Sequence, residues 1–305
     1  MLQMLSQRLA SVPACGLNYS LLVIAFLTLL WPTSIAAQTL PKPDHIVIVV
    51  EENHSFGQII GESDTPYINS LVKDGALLTK FFALHHPSQP NYFVLFSGDR
   101  QKVQADECLE QRPLVTARSL GGQLVRNGKS FKGYAEGLPK VGFFKCKSGK
   151  YVRKHAPWIS FADVPTLVSL PFSEFPTDFT KLPDVAMVIP DLDNDMHDGL
   201  LGTRRKKGDT WLRDNLGAYA EWAKTHNSLL IITWDEDHLP LPRNTKWPRN
   251  HIATIFVGEM VQPGKRSDQE YNHVDLLKTI LEMYDLPELP GDAYAKAKVI
   301  DDIWK

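Results

Sequence analysis

Ser228-Leu229-Leu230-Ile231-Ile232-Thr233-Trp234-Asp235-Glu236-Asp237-His238 is the stretch on which the fold turns. Its first seven residues are mostly aliphatic or β-branched with almost no polar alternation, the pattern of a strand buried on both faces. At its end stand three carboxylates and a histidine. Two adjacent carboxylates at a buried strand terminus are costly unless a cation or a positive partner sits between them. Asp235 and Glu236 are therefore candidate metal ligands.

The same arrangement recurs outward along the chain. Ile46 to Val50 is a short apolar strand, and Glu51-Glu52-Asn53 follows it. In open α/β sheets ligands gather at the carboxyl ends of strands, so Glu52 and Asn53 can offer a cation a carboxylate and an amide oxygen. A plain cap is the competing reading. Val185 to Ile189 is a third strand, and it feeds Asp191, Asp193, Asn194, Asp195, Met196, His197 and Asp198. That stretch reads either as a turn or as a coordination or acid/base cluster around Asp195. A turn has no need of His197.

The apolar run Ala76 to Leu84 reads as a strand and Tyr92 to Phe96 as a short helix, with His86-Pro87-Ser88-Gln89-Pro90-Asn91 between them. Ser88 then sits at a strand-to-helix turn, where helix amides favour a phosphate or a developing oxyanion. Prolines suit a first helical turn. The bland reading makes Ser88 an N-cap and His86 a loop residue.

The other elements fill an alternating series. Tyr67 to Val72 and Arg118 to Arg126 read as helices and Ser130 to Ala135 as a strand. Asp209 is placed as the cap of an amphipathic helix carrying Trp211, Leu212, Leu216, Tyr219, Trp222 and Ala223 on one face. Ile252 to Val257 is a strand, and His273 to Tyr284 the last long helix. The pattern predicts an α/β fold of three layers, a mainly parallel central sheet covered by helices on both faces. Residues 136–176 break the series, being rich in Gly, Pro, Lys and aromatics, and read as a lid-like or poorly ordered insertion.

At 305 residues and 43% hydrophobic content, with no composition break, one domain over residues 38–305 is expected. Residues 1–37 read as a cleaved secretory leader. Arg8 is the sole charge there, Leu21 to Leu30 is a short apolar core, and Ser34-Ile35-Ala36-Ala37 suits a signal peptidase. The location expected is secreted or periplasmic, with no stable membrane span once the leader is cut. In the remainder, 32 basic residues face 35 acidic ones, which gives no reason to expect nucleic acid. The basic run Arg204 to Lys207 reads as a solvated loop by default, the alternative being a patch that attracts an anionic substrate. Cys108 and Cys146 then remain, and in an exported chain such a pair is most simply a disulfide that tethers the insertion.

Oxygen ligands at several strand ends beside one hydroxyl suit a divalent cation that activates the hydroxyl and neutralises phosphate. In the segments Glu51-Glu52-Asn53-His54-Ser55-Phe56, His86 to Tyr92, Asn194 to Asp198, Gly208-Asp209-Thr210-Trp211-Leu212 and Thr233 to Asp237, the chain resembles the bacterial phosphoesterase family. That family holds acid phosphatases and phospholipases C within the alkaline phosphatase superfamily. The resemblance runs in unbroken order from about His45 to Leu286, and is strongest to small secreted acid phosphatases, including those acting on phosphatidylinositol 3-phosphate.

The resemblance implies that Ser88 takes the phosphoryl group, and that Glu52, Asn53, Asp235 and Glu236 hold the metal that Ser88 also touches. It implies that Asn91 binds a non-bridging phosphate oxygen and that His197 contacts phosphate or protonates the leaving group. His86 is grouped with these catalytic residues. Asp195 and His251 are further candidate ligands, and His273 a weaker one. Several superfamily members have Asp-His where this chain has Asp235-Glu236, which leaves a second metal open. The expected substrate is a small-molecule or lipid phosphate monoester. The rivals are a phosphodiesterase of the phospholipase C kind and a non-catalytic envelope binding protein.

Overall fold

A computed structural model describes residues 39–112, 114–238 and 250–305, so the expected leader lies outside the described residues. The strands in chain order are β1 (His45–Glu51), β2 (Ala76–Phe82), β3 (Phe131–Ala135), β4 (Lys147–Ser148), β5 (Tyr151–Val152), β6 (Ser169–Pro171), β7 (Val185–Ile189), β8 (Ser228–Trp234), β9 (His251–Gly258) and β10 (Lys265–Asn272). The helices are α1 (Phe56–Ile59), α2 (Pro66–Asp74), α3 (Ser88–Ser97), α4 (Leu120–Arg126), α5 (Leu201–Ala223), α6 (His273–Met283) and α7 (Asp292–Lys296).

β4 and β5 form a separate hairpin, and the other eight strands make one sheet in the order β10-β2-β9-β8-β1-β7-β3-β6. β9 runs antiparallel to both of its neighbours, β2 and β8, while the remaining pairs are parallel. Parallel neighbours need a crossover, and the link from β8 to β9 contains no helix among its described residues, so the chain returns alongside itself. β8 and β7 are buried along their whole length and β1 after its first residue, which is why they carry unbroken apolar runs.

Both faces are covered. Phe131 and Tyr134 lie three apart on β3 and so point to opposite sides. Phe131 meets Phe96 of α3 at 5.5 Å between ring centroids, whereas Tyr134 meets Phe175, which in turn meets Tyr219 of α5. α2 packs with α5, and α4 and α6 pack with α3. The two helix layers thus sandwich the sheet, as the alternating sequence pattern implies.

Several local expectations change. α5 begins at Leu201, so Asp209 lies inside it and caps a different helix: its carboxylate accepts the Tyr67 and Ile68 amides of α2 at 3.1 and 2.8 Å. Thr65, at the head of α2, has turned its hydroxyl to the Ile59 carbonyl, leaving those amides for Asp209. Arg204 to Lys207 are helical and form no loop. Arg204 is buried, and its guanidinium donates to the His197 carbonyl at 3.2 Å. β10 has no apolar alternation to announce it because it is an edge strand, buried only at Ser267 and Tyr271. Residues 136–176 hold the β4–β5 hairpin, β6 and short 3-10 turns, with Tyr151, Trp158 and Phe161 buried. Trp158 lies so close to β3 that a Cβ at Gly133 would fall 2.2 Å from its indole. Cys146 pairs with Cys108, with their Cα atoms 5.6 Å apart.

His273 opens α6 in the core. Its Nε2 is 2.9 Å from the Trp234 carbonyl, its ring meets Phe81 edge-on, and burial holds its pKa down to about 4. An unfolded histidine protonates near 6.5, so between these values the unfolded chain binds more protons and stability falls as the solution is acidified. The loss is about 3 kcal/mol by about pH 4. Urea midpoints across that range should fall more steeply for the wild type than for His273→Gln, which keeps a donor toward Trp234 without the titration.

Candidate active site

The polar ends of β1, β7 and β8 and the start of α3 meet at the carboxyl edge of the sheet. Side chains alternate at the end of β1. Glu51 turns toward Glu136 and the Asp209 of α5, buried with neither oxygen hydrogen-bonded, and burial first and those two acids second raise its pKa. Glu52 turns the other way, toward α3. The Glu52 amide donates to the Asp195 carbonyl and the Asp235 amide to the Glu51 carbonyl, 2.8 and 2.9 Å, so the three strand ends are stitched together.

Ser88 is the first residue of α3 and 2% exposed. Its Oγ lies 3.0 Å from Glu52 Oε2 and 3.1 Å from Glu236 Oε1. Tyr92, one helical turn on, faces the same way and donates its hydroxyl to Glu52 Oε1 at 2.5 Å. Asn53 has a left-handed backbone, φ 54°, which lets its amide reach Asp235 Oδ1 at 3.0 Å while its Nδ2 reaches Glu52 Oε2 at 2.9 Å. The five residues expected around a metal therefore form one cluster: Glu52, Asn53, Ser88, Asp235 and Glu236.

These carboxylates are out of water and close to one another. Burial, then Asp235 and Asp195, raise the pKa of Glu52; burial, then Glu236, lift Asp235 to about 8. Asp235 Oδ2 is buried without a hydrogen-bond partner. An oxygen-rich set whose acids resist ionising in its own field is what a divalent cation satisfies, so the residues present fit the group.

His86 supplies a fixed positive charge beside the cluster. Its Nδ1 is 2.6 Å from Glu236 Oε2 and its Nε2 3.2 Å from Asp237 Oδ1. Burial pulls its pKa down, but Asp237 and Glu236 outweigh that and hold it up at about 10. Asp237 is in turn held by the Asn250 amide at 2.7 Å. His197 is one-third exposed, with Nδ1 2.8 Å from Asp198 Oδ1, and its amide donates to Asp195 Oδ1.

Asn91, His251 and His273 stand away from this cluster, whereas Asp195 stands beside Glu52. The Asn91 carboxamide is committed to backbone: Oδ1 accepts the Leu84 and His85 amides, and Nδ2 donates to the His85 carbonyl. It shapes the turn before Ser88. His251 has Nε2 2.8 Å from the Thr79 carbonyl and its ring stacked on Phe56 at 4.6 Å. His273 is in the core, as described. Asp195 is fully buried, and its Oδ2 lies 3.4 Å from His155 Nδ1.

His155 and Lys154 also stand in this site, and no sequence motif marks them. His155 Nε2 is 3.1 Å from Glu52 Oε1, its ring stacks on Tyr92, and Glu52, His155 and Asp195 place ligand atoms within 4.8 Å of one another. The signal was a basic Arg153-Lys154-His155 run inside an aperiodic segment, which nothing nearby marked as site-bound.

Comparison with known proteins places the chain among phosphoesterases. The chain is 45% identical over 273 residues to the phosphatidylinositol-3-phosphatase of Mycobacterium tuberculosis, covering 88% of this chain and 86% of that one. It is 28% identical over 267 residues to a probable acid phosphatase of Kluyveromyces lactis, covering 81% of this chain but only 60% of that protein. The fold matches a Vibrio parahaemolyticus protein of the alkaline phosphatase superfamily with a TM-score of 0.57 at 14% identity, over 81% of this chain and 67% of that one. Murine ectonucleotide pyrophosphatase / phosphodiesterase 5 gives 0.54 at 12% identity, over 85% of this chain and all of that one. With the Phosphoesterase family model matching residues 62–287, the chain belongs to the Phosphoesterase family and is a hydrolase of phosphoric esters.

Proposed function

We propose that the protein is a secreted or periplasmic metal-dependent phosphomonoesterase in which Ser88 accepts the phosphoryl group. The observation that carries this reading is the Ser88 hydroxyl within 3.1 Å of carboxylates from two different strand ends. A divalent cation held by Glu52, Asn53, Asp235 and Glu236 would neutralise phosphate charge and lower the pKa of the hydroxyl.

The chain's own groups arrange the rest. Ser88 Oγ lies within hydrogen-bond reach of both Glu52 Oε2 and Glu236 Oε1, and one of these carboxylates takes its proton as Oγ attacks phosphorus in line with the leaving alcohol. Asp106 takes the Gln89 amide and Pro90 has none, so the Ser88 amide and the helix dipole are what α3 offers the phosphoryl oxygens. Asp198 holds His197 Nδ1, which leaves Nε2 to protonate the departing alkoxide. Water then attacks the phosphorus of the phosphoserine, His197 Nε2 takes its proton, the Oγ–P bond breaks, and the carboxylate beside Oγ returns the proton that regenerates the Ser88 hydroxyl.

The leader-like residues 1–37 and the Cys108–Cys146 pair support export. The name of the mycobacterial relative makes phosphoinositide monoesters the lipid substrates of first choice. The test compares p-nitrophenyl phosphate with its bis-ester. The monoester should be hydrolysed at least about tenfold faster; a preference for the bis-ester would move the protein to the phospholipase C side, and no hydrolysis of either would leave a binding protein. The factor is the discrimination that about 1.4 kcal/mol of differential binding in the transition state provides.

A further inference from the structure

Lys154 occupies a place that none of the sequence motifs marks. It is only 20% exposed on its side chain, and its ammonium lies 2.5 Å from Asp106 Oδ2. The other oxygen of Asp106 accepts the Gln89 amide at 3.0 Å. One carboxylate therefore ties this ammonium to the residue directly after Ser88, at the mouth of α3. The lysine charge also acts on Glu52 and Asp235. The backbone beneath it is anchored, because the next residue, His155, is buried against Glu52 and stacked on Tyr92. An ammonium has three donors, and Asp106 takes one.

A phosphate monoester carries nearly two negative charges at neutral pH and three non-bridging oxygens, whereas a diester carries one charge and two such oxygens. A cation held beside the nucleophile rewards the extra charge with a charge-assisted hydrogen bond. We propose that Lys154 is the specificity-determining residue of this hydrolase: its free donors bind a non-bridging phosphoryl oxygen and favour monoesters over diesters. Asp106 positions it. The inference rests on the reading of Ser88 as nucleophile.

The experiment measures kcat/KM on p-nitrophenyl phosphate and its bis-ester, and inhibition by inorganic phosphate, for wild type, Lys154→Met, Lys154→Arg and Ser88→Ala. Lys154→Met should lower the monoester kcat/KM by about 10²-fold, the scale of one lost oxyanion donor, but the diester value by no more than about threefold. Phosphate inhibition should weaken about tenfold, and Lys154→Arg should recover part of both losses. Asp106→Asn, which frees the ammonium, should move the ester ratio the same way and serves if Lys154→Met unfolds. An equal loss on both esters, or an unchanged ratio in an active protein that depends on Ser88, overturns the role of Lys154 alone. A wild type that hydrolyses neither ester overturns the reading of Ser88, and this inference with it.

Discussion

Ser88→Ala abolishes turnover of p-nitrophenyl phosphate, by about 10⁴-fold or more, the scale reached when an essential nucleophile is removed from a site whose other groups act only with it. The folded structure should survive, because the substitution deletes one oxygen that bridges Glu52 and Glu236 and leaves Pro87, Pro90 and the buried face of α3 unchanged. Circular dichroism and the thermal midpoint then stay near the wild-type values while the rate disappears. Acid-quenched wild type mixed with substrate should carry one phosphate on Ser88 by mass spectrometry, and the variant none. Appreciable turnover by Ser88→Ala, or label on another residue, removes this serine from the scheme.

The sequence announces the parts of this site that lie where a buried strand stops. An apolar run must end somewhere, and carboxylates placed there, as at Glu52 and at Asp235-Glu236, stand out against it. The same logic predicts the sheet, since β1, β7 and β8 are buried through both faces and their short, β-branched apolar runs read as strands. What stays hidden depends on long-range neighbours. Asp209 has the identity and position of a cap but serves α2, more than 130 residues away in the chain. His155 and Lys154 come from a segment whose order derives from Trp158, Tyr151 and Phe161 packing inward, and neither spacing nor periodicity shows that. Asn91 illustrates the reverse case: the family resemblance implies a substrate ligand there, while in this structure three backbone hydrogen bonds engage it in the turn.

Chelation should remove both activity and stability, and the second effect separates a bound cation from a merely acidic cleft. Glu52, Asp195 and Asp235 are at most 1% exposed, and the positive charges near them are His86, on Glu236 and Asp237, and Lys154. A cation that binds the folded chain alone contributes RT ln(1 + [L]/Kd), about 2.7 kcal/mol at a hundredfold excess over Kd. At roughly 2–4 °C per kcal/mol for a domain of this class, EDTA should lower the thermal midpoint by about 5–10 °C, and added Mn²⁺ or Mg²⁺ should restore it. The effect has a pH signature. Asp235 has a folded pKa raised to about 8, well above its unfolded value near 3.9, so in the chelated protein its contribution to stability is present below the unfolded value and lost as pH rises toward 8. Cation binding requires the ionised acids and is strengthened over the same interval. The gap between loaded and chelated midpoints should therefore widen from about pH 5 to about pH 8. Identical midpoints with and without EDTA across that range would show that these buried acids hold no metal, and a gap that narrows with pH would show that the ion binds elsewhere.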